Sequence, residues 1–332
     1  MLKIGVCGGG FIGCMHAACW RALRGCKVTA AADVRADFAA KLAAGKAKTF
    51  RTAKDLIKRA DVDVVDICLP THLHAEHAVL AAKRGLSCLC EKPLSRTLAD
   101  ANAVVREVEK SGIAFMTAHV IRFWPEYMVL KRHMDKGTYG KLLELFLSRV
   151  SPRPTWSWKN WLGDARLSGG AVLDLHVHDT DFILYALGAP KAIHSVGAGS
   201  PKMVDYIHTN YAYPSMAVSA EGGWNLPPAF PFEMSFRAVF EKGTLFYSSL
   251  NAPLTFYGAK GKKKSVKVPR TKAKAKGAGG NISDLGGYYN EIKYFANCVS
   301  RGRKPETATA ADGRDALALV LKELRMAERN RR

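Results

Sequence analysis

The stretch from Leu2 to Asp33 constrains this chain more than any other. Leu2-Lys3-Ile4-Gly5-Val6-Cys7 is an apolar run that ends in Gly8-Gly9-Gly10-Phe11-Ile12-Gly13. A helical stretch follows, then a second apolar run, Val28-Thr29-Ala30-Ala31-Ala32, that ends on Asp33. Gly8, Gly10 and Gly13 occupy the glycine positions of G-x-G-x-x-G. Each position has its own physical reason: a tight turn, close approach of backbone to a pyrophosphate, and close packing of helix on strand. The helix that opens here presents N–H groups to phosphate oxygens. Asp33 lies 20 residues beyond Gly13, where a carboxylate accepts hydrogen bonds from a ribose diol. Strand, glycines, helix, second strand and terminal acid occur in the order that a dinucleotide site requires. Asp33 favours NAD over NADP, because it repels a 2′-phosphate. Arg35 is a candidate partner for that phosphate and keeps NADP open.

The same alternation continues. Strands are predicted at 2–7, 26–32, 63–69, 86–90 and 113–117, and helices at 11–24, 35–44, 52–59, 72–84 and 97–111. Strand–helix alternation makes a parallel, doubly wound α/β sheet of Rossmann type, with ligands beyond the carboxyl ends of the strands. Leu69, Pro70, Thr71 and His72 follow one such strand, and Glu91 and Lys92 follow another. His72, His74 and His77 start one helix, where only the last two share a face, and no metal site is expected there. His16 on the first helix reads as a packing or capping residue.

Beyond residue 120 the pattern changes. Ile121-Arg122-Phe123-Trp124-Pro125 leads into a helix to about Lys136, and 141–150 alternates as a strand. Strand-like runs recur at 192–198, 207–213, 216–222, 232–240 and 243–249, with helices at 286–300 and 312–329. The division expected is a nucleotide-binding domain over 1–120 and an α+β domain over 121–332, with a large, open, mostly antiparallel sheet.

Composition narrows the class. The 332 residues are 48% hydrophobic, with no stretch of the ~20 apolar residues that spans a membrane. No signal peptide is visible, and seven of the eight cysteines fall in the first 90 residues, mostly within apolar runs. They read as thiols in a reducing, cytoplasmic compartment. The net charge of +21 owes much to Lys260–Lys276, a Gly/Ala/Lys-rich stretch with no acid that reads as a solvated loop or hairpin tip. Nothing beyond charge points to nucleic acid. The excess is compatible with an acidic or phosphorylated substrate.

A second constellation lies on the helix expected at 170–187. Asp174, His178, Asp181 and Tyr185 recur at i, i+4, i+7 and i+11, one helical face. A histidine there can take the proton of a hydroxyl as its hydride leaves. Asp174 can orient the ring, and Lys92 can stabilise a developing alkoxide. His176 lies on another face, so the H-x-H does not converge on a metal. Arg122, Trp124, Trp156, Trp158, Trp161 and Tyr185 are candidates for stacking against a sugar.

These residues resemble the glucose-fructose oxidoreductase / inositol dehydrogenase / rhizopine-catabolism (Gfo/Idh/MocA) family. The resemblance rests on Gly8–Gly13, Asp66-Ile67-Cys68-Leu69-Pro70-Thr71-His72-Leu73-His74, Glu91-Lys92-Pro93, Arg122-Phe123-Trp124-Pro125 and Ser168-Gly169-Gly170. It also rests on Leu173-Asp174-Leu175-His176-Val177-His178-Asp179, Glu221-Gly222-Gly223-Trp224 and Tyr288-Tyr289-Asn290-Glu291. It implies cofactor contacts at the glycine loop (Gly8, Gly10, Phe11, Ile12 and Gly13), Asp33, Pro70, Thr71, His74, Glu91 and Lys92, and Arg35, Leu69 and His72 beside them are further candidates. It implies a Lys92, Asp174 and His178 catalytic set with His178 as acid/base, and Arg122, Trp124, Trp161 and Tyr288 join Asp174 and His178 as candidate substrate contacts. The implied protein is an NAD(P)-dependent dehydrogenase or reductase of sugars, cyclitols or polyols, assembled as a homodimer or homotetramer. Two alternatives stay open: a glycosidase acting by transient oxidation and elimination, and a non-catalytic cofactor-binding regulator.

Overall fold

The strands β1 (Leu2–Cys7), β2 (Cys26–Ala32), β3 (Lys48–Phe50), β4 (Val64–Ile67), β5 (Ser87–Glu91) and β6 (Phe115–Ala118) form one sheet. Its order is β3-β2-β1-β4-β5-β6 and every pairing is parallel. The structure is a computed structural model that describes residues 1–269 and 286–330. The connecting helices are α1 (Phe11–Ala22), α2 (Ala36–Ala43), α3 (Ala53–Arg59), α4 (His74–Lys83) and α5 (Leu98–Ser111). Val64, Val65, Asp66 and Ile67 are all fully buried, the mark of a sheet covered on both faces. Thr52 and Thr97 accept the N–H groups of Asp55 and Asp100 and so start α3 and α5. The strand order reverses between β1 and β4, which brings the turns after them together at the point where such sheets take ligands. The short β3 was not foreseen, because three residues carry too little period to read.

The second group of elements opens with α6 (Pro125–Asp135), β7 (Leu142–Pro152) and α7 (Ala165–Ser168). A π-helical turn at Val172–His176 runs into α8 (Val177–Leu187). The strands β8 (Ala192–Ser200), β9 (Met203–Tyr213), β10 (Met216–Leu226), β11 (Glu233–Phe240), β12 (Gly243–Ser248), β13 (Ala252–Gly258) and β14 (Lys263–Ser265) follow. With β7 they form an eight-stranded sheet, β14-β13-β12-β11-β7-β10-β9-β8, antiparallel except where β7 meets β10. In β11, Met234, Phe236, Ala238 and Phe240 are buried while Arg237 is exposed, the two-residue period of a sheet with one covered face. The cover is α6 and α8: the Tyr127 ring meets Phe182 and Phe236 edge-on, each at 5.1 Å. Strands β13 and β14 go beyond the sequence reading. Lys260, Lys262, Lys263, Lys264 and Lys267 are exposed at or beside their hairpin, as expected, while Arg270, Lys272, Lys274 and Lys276 lie outside the described residues.

The last helices are α9 (Gly286–Ser300) and α10 (Ala310–Arg329). Compactness groups Met1–Phe123 with the described part of Thr271–Leu317, and the described parts of Trp124–Arg270 and Ala318–Arg332 together. In this grouping α9 goes with Met1–Phe123. This helix packs on α1, with the Tyr288 ring 5.9 Å from that of His16. Nearby, the Thr117 N–H donates to Ala308 O at 2.7 Å. Among the described residues no helix is long and apolar enough to cross a membrane.

Beneath the larger sheet, the fully buried Asp179 accepts two hydrogen bonds from Arg149, at 2.9 and 3.0 Å. Removing one member of such a pair strands a buried charge. Asp179→Ala is expected to lower unfolding free energy by about 3–5 kcal/mol in denaturant titrations, and joint replacement of Arg149 and Asp179 by Met and Leu to cost far less.

Candidate cofactor and active site

The turn after β1 is built to be bare. Gly8 has φ +101°, and a β carbon there would lie 2.3 Å from Cys68 O. A β carbon on Gly13 would lie 1.8 Å from Gly8 O, so α1 sits directly on the strand. At Gly10, the N-cap of α1, a β carbon would meet no protein atom within 4 Å. That open space is of the kind a pyrophosphate fills, and no acid in the first turn of α1 opposes it. Asp33, at the end of β2, accepts the Gly9 N–H at 2.8 Å and both the N–H and Nε–H of Arg35. The Arg35 guanidinium lies 3.4 Å over the Phe38 ring. Arg35 thus leans on the carboxylate that would hold the ribose. These residues fit a dinucleotide.

The turns after β4 and β5 are tied to each other. Buried His74 reaches Leu69 O with Nε2 at 2.7 Å and Pro93 O with Nδ1 at 2.8 Å. Burial pulls its pKa below the ordinary histidine value, against these carbonyls. Thr71 is buried and His72 exposed. Glu91 is buried and accepts the Lys92 N–H at 3.0 Å, while Lys92 is half-buried.

Behind them lies a cluster that the sequence reading missed. His16, buried on α1, has Nδ1 3.1 and 3.0 Å from the two oxygens of buried Asp66, and Nε2 3.1 Å from Glu91 Oε1. Trp20 donates its indole N–H to Asp66 at 2.7 Å. The signal that could have found it is Asp66, a carboxylate inside the apolar run Val64–Ile67. His16, Asp66 and Cys68 offer atoms within 4.8 Å of one another, the reach of a metal ion. Both Asp66 oxygens already accept hydrogen bonds from His16 or Trp20.

The helix expected over 170–187 is not one α-helix. Its first part, Val172–His176, is a π turn, a form frequent at functional sites. Gly222 of β10 accommodates it, since a β carbon there would come within 2.8 Å of His176 Cβ. The four-residue stripe is not uniformly open. Asp174, His178 and Tyr185 remain half-buried, whereas Asp181 is fully buried. His176 is buried too, with Nε2 3.1 Å from Glu323 Oε2 and 3.4 Å from the Tyr211 hydroxyl.

Other expected substrate contacts have structural engagements. Arg122 is buried and directs Nη1 to Thr307 Oγ1 at 3.3 Å and Asp312 Oδ2 at 3.4 Å. Tyr288 is 7% exposed, with its ring 5.9 Å from that of His16. Trp124 is half-buried before α6. Trp161 is partly buried against Leu162, Ala171, Met203 and Trp224, while Trp156 and Trp158 are exposed.

Residues 2–119 match the oxidoreductase family Gfo/Idh/MocA, NAD-binding Rossmann fold, and residues 127–246 match the Gfo/Idh/MocA C-terminal domain. Over 206 residues the chain is 32% identical to the myo-inositol 2-dehydrogenase of Thermotoga maritima, covering 61% of this chain and 60% of that protein. Over 261 residues it is 26% identical to the scyllo-inositol 2-dehydrogenase (NAD(+)) of Bacillus subtilis, covering 76% and 71%. The alignments to the inositol, levoglucosan and anhydro-N-acetylneuraminate enzymes span 60%, 53% and 48% of those proteins. The fold is that of levoglucosan dehydrogenase solved with NADH and levoglucosan: TM-score 0.84, 22% identity, 99% of this chain and 98% of that one.

Because Asp33 would accept the ribose hydroxyls as a charged acceptor, Asp33→Ala is expected to weaken NADH binding by about 1.5–3 kcal/mol. NADPH binding should weaken less or strengthen, and fluorescence titration of the reduced nicotinamides checks both.

Proposed function

The chain belongs to the Gfo/Idh/MocA oxidoreductase family, and on that premise we propose that it is an NAD(H)-dependent enzyme. It transfers a hydride between nicotinamide and a secondary hydroxyl or ketone of a sugar, cyclitol or related polyol. The observation that carries the reading is the bare glycine turn with Asp33, in one chain with Lys92 and the half-open pair Asp174 and His178. When bound, the nicotinamide supplies the hydride acceptor or donor. The residues of the chain handle the proton and the charge. His178 takes the hydroxyl proton during oxidation and returns it during reduction. Asp174 orients the imidazole and stabilises its cation, and the Lys92 ammonium stabilises the developing alkoxide. The relatives named for inositols and levoglucosan support a cyclic polyol as substrate class. Trp124, Trp161 and Tyr185 supply aromatic surface for its apolar faces.

A reducing, cytoplasmic setting accords with eight cysteines that all remain thiols. Homodimer or homotetramer assembly accords with the sheet face opposite α6 and α8. There Phe146, Val196, Tyr206, His208, Val239 and Phe246 are partly or wholly accessible. Light scattering is expected to report a dimer or tetramer, and Phe146→Glu to shift it toward monomer.

The activity test follows reduced-nicotinamide absorbance over a panel of neutral and anionic polyols and sugars. Reduction of NAD by at least one of them is expected. His178→Asn or Lys92→Ala should lower kcat by about 10²–10⁴-fold. Protein that binds neither dinucleotide, or variants with full turnover, would overturn the assignment. Cleavage of a glycoside without net reduction would move it to oxidation and elimination.

A further inference from the structure

His16 has no part in the chemistry just proposed, yet it occupies the centre of a built cluster. Its ring is fully buried, and each ring nitrogen faces a carboxylate: Nδ1 faces Asp66 and Nε2 faces Glu91. Carboxylates only accept, so both nitrogens are satisfied only when both carry hydrogen. Glu91 uses its second oxygen to accept the Lys92 N–H at 3.0 Å. A continuous line of contacts therefore runs from α1, the helix opened by the glycine turn, through His16 and Glu91 to the backbone of Lys92. We infer that His16, clamped between Asp66 and Glu91, is a positioning residue that sets the Glu91–Lys92 turn and ties it to the dinucleotide helix. This rests on the reading of Lys92 as part of the reaction.

The surroundings fit that role. Trp20, one turn further along α1, fixes Asp66 with its indole N–H at 2.7 Å. Cys68 Sγ lies 3.4 Å from Asp66 Oδ1 and 3.5 Å from His16 Nδ1. From α9, Tyr288 covers the ring and the buried Glu291 faces α1 near Cys19. Burial alone would make the His16 ring easier to deprotonate, but Asp66 outweighs it and holds the pKa well above the ordinary histidine value. Burial likewise favours a neutral Glu91, but the His16 hydrogen bond holds that carboxyl below its ordinary range, helped by Lys92 and His74.

His16→Gln tests the role. A glutamine amide can donate to one carboxylate but turns its oxygen toward the other, so Glu91 loses its anchor. Burial then dominates at Glu91 and its pKa rises, so the acid limb of the kcat profile moves to higher pH. The expected fall in kcat is about tenfold or more with NADH affinity within about twofold, the pattern of misplacement remote from binding. Glu91→Gln added to His16→Gln restores an amide pair and should recover part of the loss.

Two readouts need no turnover. In the wild-type protein free of cofactor, nitrogen NMR of labelled histidine should show the His16 ring doubly protonated at pH 8. In the same state, the rate of amine acylation at Lys92, read by peptide mass spectrometry, should differ between wild type and His16→Gln. A neutral His16 ring overturns the inference without any variant. So does a His16→Gln protein with wild-type kcat, acid limb and Lys92 labelling. If the wild type oxidises no polyol, the proposed function falls alone, and the NMR and labelling arms still decide for or against His16.

Discussion

The contact between Gly13 and the Gly8 carbonyl sets the geometry from which the nucleotide-binding sheet is arranged. With 1.8 Å between that oxygen and a hypothetical β carbon, only glycine lets α1 lie on the end of β1. The line of the helix then determines everything three and seven residues on. His16 and Trp20 share the face of Gly13, so they are driven into the sheet rather than into water. There they meet Asp66 on β4 and Glu91 at the end of β5. One close approach of backbone to backbone thus fixes a bare turn on one side of the helix start and a buried charged cluster on the other.

What could be read from the sequence divides along the same physical lines. The alternation of β1 to β6 with α1 to α5 repeats often enough to declare itself, apart from the three-residue β3. The antiparallel sheet shows through its two-residue period up to β12, and then fades in β13, where Leu254 and Thr255 are both buried, and in the three-residue β14. The π turn stayed hidden because one wide turn hardly alters the spacing of apolar residues in Leu173–Ile183. It carries Asp174, which is half-buried like His178 on α8, while Asp181 on α8 is sealed. His16 stayed hidden for another reason. A lone histidine on an apolar helix looks like packing, and Asp66, which gives it meaning, is 50 residues away. The helix α9 was legible at 286–300, but long separation hid its packing on α1 from the far end of the chain.

The cluster around His16 is an expensive way to hold a fold. Taking ionised groups out of water costs several kcal/mol each, and well-packed apolar side chains in their place are often neutral or stabilising. Stability alone therefore gives no reason for Asp66 and Glu91 to share an imidazole. Position does: both lie toward the carboxyl ends of adjacent parallel strands, where this class of sheet meets its ligands. The hydrogen bonds also define direction, which apolar packing does not, and the turn they define carries Lys92.

The same reasoning separates two histidines that the sequence presents as near equals. His176 and His178 are two residues apart, and either imidazole has the chemistry of an acid or base. The π turn lies against β10 and holds His176 in full burial beside Glu323, whereas His178 is half-buried. A group that exchanges a proton with a substrate must be reachable by it. A ring sealed against a buried carboxylate is not. His176 therefore serves the framework, linking the π turn to α10, while the proposed proton chemistry rests on His178.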